Sequence, residues 1–205
     1  MLRIFSIVCL LFASSVAISA EYQEGVHYQR LAQPQPTDTK NKVEVREMFW
    51  YGCPHCYRLE PYVERWLRRK PEQAEFIRTP AAMVPHWQTH ARAFYTAEVL
   101  GVLEQIHRPL FDAIHVQGKK LNNIETLADF FAGFGVEKAK FFKTYRSFAV
   151  ETRFRRAKTL ASRYNLSGVP AMIVNGKYLV TNRMTGGNAQ TMKVINFLVK
   201  LESSS

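Results

Sequence analysis

Three cysteines in 205 residues are too few to staple a scaffold together, so the fold has to rest on an apolar core. Roughly 185 residues, the length left once a leader is removed, can supply that core in one domain or in a domain carrying an inserted subdomain. No internal repeat or low-complexity segment is present. No apolar run reaches the roughly 20 residues that a membrane span needs; the nearest, Ile4 to Ile18, stops short of it. Acidic side chains are also scarce, 17 Asp and Glu against 28 Lys and Arg, for a formal charge of +11. The excess lies in clusters such as Arg65, Arg68, Arg69, Lys70 and Arg153, Arg155, Arg156, Lys158. These read as solvated helix faces, and no nucleic-acid partner is expected; attraction to an anionic membrane surface stays open.

What is present begins with that apolar run. Arg3 precedes it and Ala17-Ile18-Ser19-Ala20 closes it, the pattern of a secretory signal peptide over 1–19. Cleavage after Ser19 puts Ala17 and Ser19 at the two positions a signal peptidase inspects. The bond after Ala20 is the alternative, and an uncleaved anchor is a further one. Cys9 then leaves with the leader, and Cys53 and Cys56 remain, in a compartment where disulfides persist. A pair so close closes almost no loop, and the stabilisation a disulfide gives grows with the loop it constrains. The pair is a poor staple, and a redox role gains weight.

Val43 to Tyr51 is rich in β-branched and aromatic residues and free of Gly and Pro, which reads as a buried strand. Gly52 ends it. From Pro54 onward Leu59, Tyr62, Val63, Trp66 and Leu67 recur at helical spacing, with Pro61 expected to kink the helix and Lys70-Pro71 to end it. A second strand, Ala74 to Thr79, precedes Pro80. From His86 to about Ser147 the pattern is helical only: His86 to Leu100, Leu103 to His115, a helix opening at Asn123, and Val136 to Arg146, punctuated by Gly101, Gly118, Gly133 and Gly135. A helix at about Val150 to Tyr164 leads into Ser167-Gly168-Val169-Pro170. Two short strands flank Asn175-Gly176, a strong hairpin signal. Gly186-Gly187 precedes a last amphipathic helix, with Ser203 to Ser205 as a frayed tail. The order describes a small α/β sheet domain interrupted by a block of helices.

Within Cys53-Pro54-His55-Cys56, a cysteine at the first turn of a helix points its sulfur at unpaired backbone N–H groups and the positive end of the helix dipole. Both favour thiolate. Pro54 suits a first helical position, where its missing N–H costs nothing. Cys56 falls three residues on, on the same face, and should be the more buried of the two. An imidazolium or its N–H donors at His55 would depress the Cys53 pKa further; as a turn residue His55 could equally be a solvated bystander. A stabilised thiolate is a good leaving group, so the disulfide form becomes an oxidant. Half a zinc site is the competing reading of Cys-x-x-Cys. No second Cys pair exists, and His86 and His90 lie beyond a strand and a turn, so no metal is expected.

Phe49-Trp50-Tyr51-Gly52-Cys53-Pro54-His55-Cys56-Tyr57, together with Gly168-Val169-Pro170-Ala171-Met172-Ile173-Val174-Asn175-Gly176-Lys177-Tyr178, resembles the DsbA family of periplasmic disulfide oxidases. The likeness begins at Ala20-Glu21-Tyr22-Gln23-Glu24-Gly25-Val26-His27-Tyr28 and reaches the final helix. It implies a thioredoxin fold with an inserted all-helical domain: a thioredoxin-like unit over 20–81 and 150–205, and an insert over 82–149. It implies a cis Val169–Pro170 peptide facing the cysteines, beside which an extended client can pair with exposed backbone; an ordinary trans loop is the alternative. Glu47 alternates with Val45 and Phe49 and would point into the core. The resemblance makes it an acid that moves protons for Cys56, with Arg78 as its basic partner on the next strand, where the family's residue type differs. It further implies a monomer without cofactor, unfolded exported clients with free cysteines, and a DsbB-like quinone-linked membrane protein as reoxidant. A disulfide reductase or isomerase on the same fold is one alternative, although only about twenty residues separate the leader from the first motif strand, too few for a dimerisation domain. A metal- or peptide-binding module is the other.

Overall fold

All seven residues of the strand Val43–Phe49 (β2) are buried, including Glu44, Arg46 and Glu47. A strand buried on both faces has neighbours on both edges. The strand β2 runs parallel to Ala74–Pro80 (β3) and antiparallel to Ala171–Val174 (β4). Strand β4 continues antiparallel into Tyr178–Val180 (β5), which is edged by Gln29–Arg30 (β1). The five strands stand in the order β1-β5-β4-β2-β3. The computed structural model describes residues 21–204; the expected leader, its Cys9 and Ser205 lie outside the described residues.

Period-two alternation assigns the faces of β2. Val43 and Val45 pack with Leu59, Val63 and Trp66 of the helix Pro54–Leu67 (α1) and with Val194, Ile195 and Leu198 of the C-terminal helix Asn188–Ser203 (α8). Glu47 shares that face. Met48, on the other, packs with Leu160, Ala161 and Tyr164 of the helix Phe148–Arg163 (α6). Two of the three charged residues on β2, Glu44 and Arg46, are buried as a pair, as buried charges must be. The Arg46 guanidinium lies 2.8 Å from Glu44 and 2.7 Å from Asp38 and donates to the Thr79 hydroxyl at 2.6 Å.

Between β3 and α6 lie four helices, Pro85–Leu100 (α2), Leu103–His115 (α3), Ile124–Ala132 (α4) and Lys138–Tyr145 (α5). Their apolar faces meet around Phe94, Leu110, Phe111, Phe131 and Phe141, and Phe49 joins them from the end of β2. Helix α6 serves both cores. Val150, Phe154 and Ala157 pack in the helical block, whereas Leu160 and Ala161 pack on the sheet. The step from insert to sheet therefore runs along one helix, and residues 149 and 150 lie in its first turn.

Strand β2 stops two residues earlier than its composition predicts. Trp50 and Tyr51 leave the ladder because the chain turns there, with the Cys53 N–H donating to the Trp50 carbonyl at 3.0 Å. Gly52 fits this turn because any Cβ would come within 2.3 Å of the Trp50 indole. Helix α1 runs through Pro61 to Leu67 as one element. The tail read as frayed is also shorter than expected, since Ser203 ends α8 and Ser204 caps it. Two short elements carry no readable period: β1, and the single turn Asn182–Thr185 (α7).

Asn175 and Gly176, at φ 50° and 62°, close the hairpin between β4 and β5 in the left-handed conformation such turns demand. A Cβ at Gly176 would also sit 2.1 Å from the Gln35 carbonyl oxygen, whose own N–H donates to the Gly176 carbonyl at 2.8 Å. Strain and backbone clash act together here, so Gly176→Ala is expected to destabilise the fold by about 2–4 kcal/mol. Urea unfolding measures this, and a loss below about 0.5 kcal/mol, the scale of an ordinary surface change, would contradict it.

Candidate active site

The turn after β2 delivers Cys53 to the N-cap of α1, with Pro54 in the first turn. The Cys53 sulfur accepts from the Cys56 backbone N–H at 3.3 Å, and both thiols are free. Cys56 is fully buried, and Cys53 is 7 % exposed. The geometry separates their chemistry. The Cys56 thiol donates to the Cys53 sulfur; burial opposes this, but the Cys56 and His55 backbone N–H groups and lastly the His55 charge help it, bringing Cys53 down to about 6. Cys56 moves the other way. Burial first, then its bond to Cys53 and the charge there, hold it well above the ordinary thiol range. The charge of the His55 imidazole is therefore the smallest of these influences on Cys53; its ring is exposed and contacts Arg58 at 3.0 Å.

Opposite the cysteines, the loop before β4 brings up Val169 and Pro170, whose peptide bond is cis. In its thiol form Cys53 donates to the Val169 carbonyl at 3.4 Å. Next to the pair, the Trp50 indole stacks on Trp87 at 4.9 Å between centroids, with His86 edge-on at 5.2 Å. From α3, His115 donates to the Tyr51 carbonyl at 2.7 Å and stacks on Tyr57 at 4.9 Å, tying the helical block to the cysteine turn.

Glu47 lies in the interior, fully buried, directly across the β2–β3 ladder from Arg78. The Arg78 Nε is 3.6 Å from Glu47 Oε2, and neither carboxyl oxygen of Glu47 hydrogen-bonds to a described residue. Burial, then the Glu60 charge, push Glu47 up to about 8 against the opposing pull of Arg78; the Cys53 charge adds to the rise. Sequence reasoning did not single out the rest of this cluster. Glu60, on the buried face of α1, receives the Arg78 guanidinium at 3.0 Å and lies 3.2 Å from His107 Nε2. The Tyr51 hydroxyl meets His107 Nδ1 at 2.8 Å. Burial pushes the Glu60 carboxyl up, but the His107 and Arg78 contacts outweigh it and leave its pKa lowered.

His90, considered as a metal ligand, is buried with its Nε2 2.7 Å from the Leu121 carbonyl. Among the described residues no group of three or more His, Cys, Asp or Glu side chains could hold a metal ion. The basic cluster of α6 is partly neutralised, with Arg153 against Glu98, Arg155 against Glu151 and Arg156 against Asp38. No described helix is long and apolar enough to cross a membrane.

A Cys-x-x-Cys turn at a helix N-terminus, one sulfur acidified and one fully buried, facing a cis-proline loop where two interior strands of the sheet end and begin, defines the class of dithiol–disulfide exchange proteins built on the thioredoxin fold. Residues 44–193 match the model of the DSBA-like thioredoxin domain. The chain is 42% identical over 185 residues to the thiol:disulfide interchange protein DsbA of Pseudomonas aeruginosa, covering 90% of this chain and 88% of that protein. To the protein of the same name from Azotobacter vinelandii it is 42% identical over 186 residues, covering 91% and 87%. Among solved structures, Pseudomonas aeruginosa DsbA superposes with a TM-score of 0.84 at 43% identity, covering 89% of this chain and 95% of that one. DsbA from Xylella fastidiosa gives 0.85 at 32% identity, covering 90% and 99%. The chain belongs to the DsbA family of thioredoxin-fold proteins, with a helical insertion in the α/β fold, and is a thiol:disulfide oxidoreductase.

Proposed function

We propose that the protein donates its Cys53–Cys56 disulfide to cysteines of newly exported clients in the periplasm, after residues 1–19 are removed as a signal peptide. The observation that carries this direction is the asymmetry of the two sulfurs, Cys53 lowered to about 6 and Cys56 raised. A client thiolate attacks Cys53 Sγ, the Cys53–Cys56 bond breaks, and its electron pair goes to Cys56, which takes up a proton. A second client thiolate attacks the client sulfur of the mixed disulfide, and Cys53 leaves as thiolate. The client is oxidised and the dithiol reduced. Because stabilising the Cys53 thiolate stabilises the reduced protein, the exchange runs toward oxidised client.

In this reading Pro54 starts the helix that acidifies Cys53, and His55 supplies a backbone N–H and a favourable charge. Val169 and Pro170 offer backbone to an extended client segment. Glu47 exchanges a proton with Cys56, and Arg78, on the neighbouring strand, is its supporting base. The protein works as a monomer, needs no metal or small cofactor, and is returned to the disulfide form by a DsbB-like quinone-linked membrane protein.

The test is the equilibrium of the Cys53–Cys56 couple in defined mixtures of reduced and oxidised glutathione, read by thiol trapping. The pair is expected to stay reduced until glutathione is strongly oxidising. Each 30 mV corresponds to about 1.4 kcal/mol for this two-electron couple. Half-oxidation near the thioredoxin range of about −270 mV would instead make the protein a reductase.

A further inference from the structure

The roles assigned above leave Glu60, His107 and the Tyr51 hydroxyl unused, although burying such groups costs free energy unless they are paired. His107 comes from α3, on the far side of the β3–α2 connection from Glu47, and it contacts both of the others. A carboxylate can only accept, so the bond to Glu60 places the ring proton on Nε2, and Nδ1 then accepts from the Tyr51 hydroxyl. Both ring nitrogens are satisfied by a neutral imidazole. Burial, which lowers the His107 pKa, favours the same state.

Counting charge over the cluster gives a simple result. Arg78 offsets ionised Glu60, His107 is neutral, and the total is zero while Glu47 holds its proton. Ionising Glu47 leaves one uncompensated negative charge in the interior. The groups facing His107 are Glu60 from α1, Arg78 from β3, Tyr51 from the turn after β2 and Glu104 on its own helix. Lys70, just past α1, Glu75 of β3 and Glu98 of α2 share with His107 and Arg78 the wall of a cavity of about 380 Å³.

We infer that His107 is a positioning residue for the exchange reaction: its Nε2–H holds Glu60 as the ionised carboxylate paired with Arg78, which leaves Glu47 as the carboxyl that keeps an exchangeable proton beside the cysteines. The proton moves both ways. It passes to the Cys56 thiolate when a client breaks the disulfide, and back from the Cys56 thiol when Cys56 attacks a mixed disulfide on reoxidation. Without the His107 donor, Glu60 binds a proton more readily, Arg78 is freed toward Glu47, and Glu47 ionises at lower pH. The inference rests on the proposed proton exchange between Glu47 and Cys56, and the variants below separate the two.

The measurement is the pH dependence of reoxidation of the reduced full chain by oxidised glutathione, with the carboxyl ¹³C shifts of Glu47 and Glu60 followed by NMR. His107→Leu is expected to move the Glu47 midpoint down by about one unit or more. His107→Gln, whose amide keeps an N–H donor near Glu60, should restore most of that shift, and Glu47→Gln should remove the titration from the rate profile. A His107→Leu profile that superimposes on the wild type while Glu47→Gln still removes the titration overturns the role of His107 and leaves that of Glu47 standing. A profile unchanged by Glu47→Gln overturns both. The wild-type spectrum tests the idea without any variant: Glu60 should be ionised and Glu47 protonated at about pH 6, and the reverse assignment overturns it.

Discussion

Cys53→Ser will lower client oxidation to the rate seen without the protein, whereas Cys56→Ser will leave the protein accumulating as a mixed disulfide at Cys53. The two losses differ because the two sulfurs differ. With its pKa lowered to about 6, Cys53 is roughly nine-tenths thiolate at pH 7, against about one part in a hundred for an ordinary thiol at 9. A hydroxyl cannot form a disulfide, so no exchange chemistry remains when Cys53 is lost. Cys56 is fully buried and has its pKa raised, so a client sulfur does not reach it first. Its part is intramolecular, releasing Cys53 from a mixed disulfide, and a serine there leaves that adduct without its internal exit. Mass spectrometry of each variant after incubation with oxidised glutathione, beside an assay of reduced-client refolding, distinguishes the two losses. Adduct formation on Cys53→Ser at the wild-type rate would reverse the assignment of roles.

The parts of this arrangement that could be read from the chain were the ones governed by local spacing. Cys53 to Cys56 lie within one helical turn, and the Asn175-Gly176 hairpin is set by two adjacent residues, so composition and period suffice for them. Glu60 was readable in principle. It stands four residues after Cys56 and three before Val63, on the buried face of α1, and a carboxylate on such a face signals a buried partner. Its partner was not readable, because His107 lies 47 positions further on, in a different layer. The Arg78–Glu47 pairing was reached only through the family resemblance, because it depends on the register of a parallel ladder, which the intervening helix leaves unspecified in sequence. For His55, the sequence suggested a further acidifying contribution, from an imidazolium or its N–H donors, on top of the helix N-terminus. The structure keeps that order and adds a larger cause ahead of both, the Cys56 thiol, which approaches the Cys53 sulfur more directly than an exposed ring does.

The reduced protein should gain stability to urea relative to the oxidised one as the pH rises from 6 toward 9, and should be the more stable form at the alkaline end. Even a four-residue ring stabilises the oxidised form by about 2 kcal/mol in the chain-entropy model, so the thiolate sets how the difference changes with pH and reverses its sign only where its contribution exceeds that. Cys53 has a folded pKa of about 6 against an ordinary thiol value of 9.0. A depressed folded pKa contributes stability that is fully present above the unfolded value and is lost as the pH falls through the folded value. Allowing for solvent screening, the thiolate contributes about 1 kcal/mol to the reduced form at pH 7 and about 3 kcal/mol near pH 9. Beyond pH 9 the relative stability of the reduced form declines again, because the buried Cys56 thiol resists ionisation in the folded protein while the unfolded chain gives up its proton. Glu47 is present in both redox states, so most of its contribution cancels from the difference. Parallel urea titrations of the two forms at about pH 5, 7 and 8.5 trace this curve. An oxidised form that is the more stable at every pH would mean that the Cys53 thiolate is not what drives this protein to give its disulfide away.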